Sequence, residues 1–184
     1  MKPIIPIFIH IPKAGGTSIK IIVEKYNKDL PDCLHKYVTF YSEQERNSCF
    51  VFSFTRNPYD RLLSAHKYLT NGYGNLGNIK FGKTLSSDFK YFVKHQLNNN
   101  MNWLHFLPMK FWLDDDIDFI GKMENYEHDF NTVCDKIGIP QQQLPHKNIS
   151  KHKHYTEYYD DETRQIVSEI YAEDIERFGY KFEQ

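Results

Sequence analysis

No stretch of this 184-residue chain approaches the ~20 consecutive apolar residues that a membrane-spanning helix needs. An excess of charge of one sign is missing too. Its 23 Lys and Arg stand against 24 Asp and Glu, a formal net charge of −1. No global field therefore gathers nucleic acid, and any anion site has to be built locally. Cysteine is scarce: Cys33, Cys49 and Cys134 are odd in number and lack C-x-x-C or metal-ligand spacing. Free thiols in a reducing compartment are the expected state. Internal repeats, long low-complexity tracts and a dividing linker are absent as well. The apolar start from Met1 to Ile11 carries Pro3 and Pro6 and has no cleavage site, so it reads as a buried strand and not as a leader. These absences lead to the expectation of a soluble, cytoplasmic protein with a single domain over residues 1–184.

What is present is the material of a well-filled core. Hydrophobic residues make up 40% of the chain, and 14 Phe and 13 Tyr give it bulk. A chain of this length can bury roughly 70% of its unfolded surface. Ile19, Ile22, Val23 and Tyr26 recur at helical spacing, which predicts a helix over 17–27. The continuous run Phe50 to Phe54 suits a central parallel strand. Asn57 followed by Pro58 is a cap with an N1 proline, and Leu62, Leu63, His66 and Leu69 continue that helix. Residues 71–83, rich in Gly and Asn, read as a loop. Ser87 is the expected cap of a helix through Leu97, and Ile117 to Ile120 is the expected third strand. Phe130, Val133, Cys134 and Ile137 mark a helix ended by Gly138 and Pro140, and a last helix begins near Asp160. Strands alternating with helices predict an α/β fold: a three-layer, P-loop-like domain with a central, mostly parallel β-sheet flanked by helices. In such sheets ligands sit beyond the carboxyl ends of the strands. Lys13 and Arg56 both fall at such ends.

Two segments carry the chemistry. After the strand Ile7 to Ile11 comes Pro12-Lys13-Ala14-Gly15-Gly16-Thr17-Ser18, a glycine-bearing turn that opens a helix. It offers backbone N–H groups, two hydroxyls and a cation to an anion. The Walker pattern places its lysine after the last glycine. Here Lys13 precedes both glycines, so its amine lies on a different side of the bound group. The other reading is a tight turn whose glycines serve geometry only. The second segment is Phe54-Thr55-Arg56-Asn57-Pro58-Tyr59-Asp60-Arg61-Leu62-Leu63-Ser64. Arg56 and Ser64 are placed to clamp a second phosphate. Arg61, three residues before Ser64 on the same helix, could face the anion too. A plain Arg56–Asp60 ion pair with a packed Ser64 is the alternative.

The pair P-K-x-G-G-T-S and R-N-P-x-D-R-L-x-S-A resembles the sulfotransferases that use 3′-phosphoadenylyl sulfate (PAPS), in particular the carbohydrate type of heparan and chondroitin modification and its bacterial counterparts. The resemblance continues in Phe119-Ile120-Gly121-Lys122-Met123-Glu124-Asn125-Tyr126, in His146-Lys147-Asn148-Ile149-Ser150 and in Ile175-Glu176-Arg177-Phe178-Gly179-Tyr180. It is weakest over 71–115, where an acceptor pocket is expected. It implies that Lys13, Ala14, Gly15, Gly16, Thr17 and Ser18 hold the 5′-phosphosulfate and that Arg56 and Ser64 hold the 3′-phosphate. It also implies that Asn148 and Ser150 touch the nucleotide from a flap and that no metal is required, while the lack of a membrane anchor leads to the expectation of a bacterial setting. A transferring sulfuryl group carries less negative charge than a phosphoryl group, so a lysine and backbone N–H groups can suffice. The product would be 3′-phosphoadenosine 5′-phosphate (PAP).

The acceptor hydroxyl needs a base. The family places one shortly before the second segment, which points to His35, whose ordinary pKa near 6.5 suits the task. His66 is the runner-up, although it lies on an apolar helix stripe. The basic run His146 to His154 reads either as a solvated loop or as the flap, with a metal site at His152 and His154 the weakest option. Asp114, Asp115, Asp116 and Asp118 read as a polar lead-in to a strand before they read as a Mg²⁺ site. Trp103 and Trp112, with Phe106, Leu107, Met109 and Phe111, are core or a sugar platform. Two rivals to sulfuryl transfer stay open at this point: a small-molecule kinase using Mg-ATP, and a non-catalytic nucleotide- or glycan-binding module. The expected partners are the nucleotide donor and a carbohydrate or other hydroxyl acceptor, with no nucleic acid and no membrane span.

Overall fold

The structure is a computed structural model that describes residues 5–26, 35–144 and 153–183. The chain divides into two compact units, Met1–Arg56 with Met109–Ile149, and Asn57–Pro108 with Ser150–Gln184.

The first unit is built on a three-stranded parallel sheet in the order β1 (Pro6–Ile9), β2 (Phe50–Thr55), β3 (Phe119–Lys122). Phe8 aligns with Phe52, and Phe52 with Phe119. The continuous apolar composition of β1 and β2 follows from burial on both faces. On one face Phe8, Phe52 and Phe54 form a cluster with Ile19, Ile22 and Val23 of α1 (Gly16–Tyr26) and with Phe130, Val133, Cys134 and Ile137 of the helix Tyr126–Ile137. Each such side chain, fully buried, stabilises the fold by about 1.5–3 kcal/mol before entropy is counted. On the other face Ser53 donates its hydroxyl to the Ile9 carbonyl at 2.8 Å, which satisfies a buried polar group.

Between β1 and β2 the chain makes a 3₁₀ turn at Val38–Phe40 and a short helix, α2 (Glu43–Ser48), which the sequence reading missed. Ser42 and Glu45 form a reciprocal capping box at its start. The third strand begins two residues later than expected. Asp118 is spent on β2 instead, where its carboxylate accepts from the Val51 N–H at 2.7 Å and its own N–H donates to the Val51 carbonyl. The apolar run alone did not reveal that pairing.

The second unit is helical: α3 (Pro58–Thr70), α4 (Leu76–Gly82), α5 (Phe89–His95), α7 (Asp161–Ile170) and α8 (Ala172–Phe178), with the Tyr126–Ile137 helix counted as α6. Asn57 caps α3 as expected, its side chain accepting from the Tyr59 N–H. The Asn57 amide also donates to the Lys181 carbonyl at 2.7 Å, tying the start of α3 to the chain's last residues. Leu62, Leu63, Leu69, Phe92, Phe106, Val167 and Tyr171 fill the core.

Two expectations are corrected here. Residues 71–83 are not all loop, because Asn75 caps α4 by accepting from the Asn78 N–H at 2.9 Å. The asparagine that reads as a turn signal serves as a helix cap. The cap of α5 is Asp88, not Ser87, and the helix stops at His95. Gly138 ends α6 in the left-handed region, as its sequence predicts. The helix after Asp160 is followed by a separate α8, from which Tyr171 divides it.

Candidate functional site

Parallel register puts the carboxyl ends of β1, β2 and β3 on one edge of the sheet, and the segments leaving those ends converge on the loop after β1. This loop runs from His10 to Gly15 and leads directly into α1, whose first N–H groups have no acceptor within the helix. Lys13 adopts φ +67, left-handed and uncommon for a side chain of that size. Gly15 has φ +80. The ring of His10 lies against Gly16: a Cβ there would fall 2.0 Å from His10 Cδ2, so only glycine fits.

The other two strand ends grip this loop through its carbonyls. Arg56, immediately after β2, donates to the Lys13 carbonyl at 3.3 Å. Tyr126, which follows β3 at the start of α6, donates its hydroxyl to the Gly15 carbonyl, and its ring packs on the Gly15 Cα. Burial pushes the Tyr126 phenol up to about 12, against a hydrogen bond from Ser18 that pulls it down. Burial, and then the neighbouring Arg56 charge, bring Lys13 down to about 8. The amine is therefore poised to gain from an arriving anion. Thr17 is exposed, while Ala14, Gly16 and Ser18 are buried.

His35 stands beside the same loop. Its Nδ1 lies 2.9 Å from the His10 carbonyl, and because a carbonyl only accepts, Nδ1 is the donor, which in the neutral ring puts the lone pair on Nε2. The His10 and His35 rings are 4.3 Å apart, and the edge of Trp112 lies 6.2 Å from His35. Trp112 is fully buried with Tyr37 stacked over it at 4.6 Å, so core packing is its role and Tyr37 is the exposed aromatic. His10 and Tyr126 received no role in the sequence reading. The signal for both was position, at or just beyond a strand's carboxyl end.

In the second unit, Ser64 and Arg61 lie on α3. Arg61 is 1% exposed and donates to the Leu107 carbonyl at 2.9 Å. His66 is buried, and its Nε2 lies 2.8 Å from the Ser86 carbonyl, to which it donates. Burial lowers its pKa. It is a core histidine, bonded through Nε2 while its buried Nδ1 has no hydrogen-bond partner among the described residues. Trp103 stacks on Phe81 at 3.9 Å and Phe106 is fully buried, again core. Asn148 and Ser150 lie outside the described residues, as does His152. Asp114 pairs with Arg46, and among the described residues no group of three or more His, Cys, Asp or Glu gathers as a metal site. No helix of the described residues is long and apolar enough to cross a membrane.

A parallel α/β sheet whose strand ends converge on a lysine-bearing strand–loop–helix turn is an arrangement suited to holding an anion. Residues 7–181 match the model of the sulfotransferase family, and the chain belongs to that family. It is also similar to a protein of Archaeoglobus fulgidus described as uncharacterized, with 30% identity over 93 residues, which are 50% of this chain and 70% of the relative.

Proposed function

We propose that the protein transfers a sulfuryl group from PAPS to a hydroxyl, on a carbohydrate, by direct in-line attack. The observation that supports this best is the first loop, where Lys13 with its lowered pKa lies three residues before the N–H groups that open α1. His35 Nε2 takes the acceptor proton as the acceptor oxygen bonds to sulfur. The bond from sulfur to the bridging oxygen breaks, and the protonated Lys13 amine donates to that oxygen as PAP leaves. Ala14, Gly15, Gly16, Thr17 and Ser18 hold the 5′-phosphosulfate. Arg56 and Ser64 are assigned to the 3′-phosphate on the second motif alone, as Asn148 and Ser150 are to the nucleotide on theirs. Arg61 is assigned to the donor's anion on that second motif too, one of its nitrogens donating to the Leu107 carbonyl. The match across residues 7–181 runs through both units and supports reading them as one domain. Cys49 and Cys134 are free thiols, and a cytoplasmic setting is proposed.

The test is calorimetric titration with PAP, ADP and ATP, each with and without Mg²⁺. Metal-independent PAP binding, with ADP much weaker, is the expected result. A Mg²⁺-dependent preference for ATP overturns the proposal in favour of a kinase. PAP binding without transfer to any acceptor in a broad screen would leave a binding module.

A further inference from the structure

We infer that Tyr126 is a positioning residue for the donor's 5′-phosphate, acting through the peptide plane between Gly15 and Gly16. This rests on the functional reading above and adds to it a residue that never touches the ligand.

The argument starts from the planarity of the peptide bond. In a trans peptide the C=O of one residue and the N–H of the next point in opposite directions. Glycine at φ +80 leaves that plane free to rotate, since no Cβ resists it. Tyr126 removes the freedom in two ways. Its hydroxyl takes the Gly15 carbonyl, and its ring lies where a Gly15 Cβ would meet Cε2 and Cζ at 3.0 Å. With the carbonyl held toward Tyr126, the Gly16 N–H must point away from it. Gly16 is the first residue of α1, so that N–H has no acceptor inside the helix. Tyr126 is held in turn, edge-on to Phe54 of β2 at 5.6 Å and anchored at the start of α6. The sheet thereby sets the direction of one phosphate-loop donor before any ligand arrives, and preorganised donors bind anions without a reorganisation cost.

Ser18 complicates the removal of the hydroxyl. It hydrogen-bonds the phenol oxygen, and since Tyr126 donates to Gly15, Ser18 is the donor here. A hydroxyl has one proton to give. Deleting the phenol oxygen therefore loosens the peptide plane and also releases the Ser18 proton to a phosphate, two effects of opposite sign. The decisive comparison is made in a Ser18→Ala background, where only the first remains.

The experiment titrates PAP and adenosine 3′-monophosphate into four proteins: wild type, Tyr126→Phe, Ser18→Ala and the double variant. Phenylalanine keeps the ring against Gly15 and Phe54, so the thermal midpoint should stay close to wild type. Going from Ser18→Ala to the double variant, PAP affinity is expected to fall about tenfold, the effect of one net hydrogen bond at ~1.4 kcal/mol. The 3′-monophosphate has no 5′-phosphate, and its affinity should not change. Equal PAP affinity in the two Ser18→Ala proteins overturns the proposal. So does a parallel loss for the 3′-monophosphate, which would mark general damage. Wild-type protein that binds no PAP overturns the functional reading itself, a result distinct from both.

Discussion

The Arg56 guanidinium donates to the main-chain carbonyl of Lys13. One strand end thus props the loop of another, at the cost of placing two cations side by side. Arg56 is the second cause, after burial, of the lowered Lys13 pKa. Arg56→Ala should therefore do two things at once. PAP binding weakens by about tenfold or more, as expected for the loss of a charge-assisted contact. The Lys13 pKa rises from about 8, because the repulsion is gone. Calorimetry across a pH series reads both, and an unmoved midpoint in the variant would separate the two residues electrostatically.

Lys13 itself gives a pH signature to donor binding. In the free protein the amine loses its proton near pH 8, whereas a bound phosphate favours the charged form. PAP affinity should hold below that value and decline as pH rises through it, with proton uptake on binding that peaks near it. Titrations in buffers of different ionisation enthalpy report the uptake. Lys13→Arg keeps its charge throughout and should flatten the profile. Lys13→Ala should depress turnover more than PAP binding if, as proposed, the amine acts on the departing oxygen.

For His35 the expected separation is the reverse. His35→Ala should leave PAP affinity within about twofold of wild type and abolish sulfuryl transfer, a general base being worth roughly 10²–10⁴ in rate. The His10 carbonyl accepts from Nδ1, so ¹⁵N spectra of the neutral ring should report Nε2 as the unprotonated nitrogen. Near-normal transfer by the alanine variant rules out His35 as the base.

The sheet and the two motifs were legible because they are continuous in sequence. The apolar run at Phe50 to Phe54 announces β2, Asn57-Pro58 announces α3, and Gly138 announces the end of α6. What escaped depends on partners far along the chain. Asp118 gives up its place in the expected strand for a bond to Val51, 67 residues earlier. Tyr126 reaches Gly15 across 111 residues, and no local pattern marks it as part of the first loop. Asparagine misled the reading at Asn75, because the same side chain that closes a turn also caps a helix. Arg61 and Ser64 share a helix face in the sequence pattern, and the bond from one Arg61 nitrogen to the Leu107 carbonyl, 46 residues later, could not be read from it.

His66 gives the last prediction, on stability. Its Nε2 donates to Ser86, and Phe89 and Phe92 pack on its ring at 5.3 and 4.7 Å. Burial is the largest influence on its pKa, which lies below the ordinary 6.5; the Ser86 bond and Asp88 oppose the shift, and Lys67 adds to it. The unfolded chain therefore binds more protons than the folded one between the lowered value and 6.5. Stability must then rise with pH across that window and be lost as pH falls through it. Asp160, held well below the usual carboxylate range by the Thr163 N–H and hydroxyl, acts only beneath 3.8 and leaves this window clear. Urea midpoints at about pH 7.5 and about pH 5.5 should therefore differ for the wild type. His66→Gln is less stable at both but carries no titrating ring, so its two midpoints should lie closer together. An equal drop in both proteins would assign the acid sensitivity to another group.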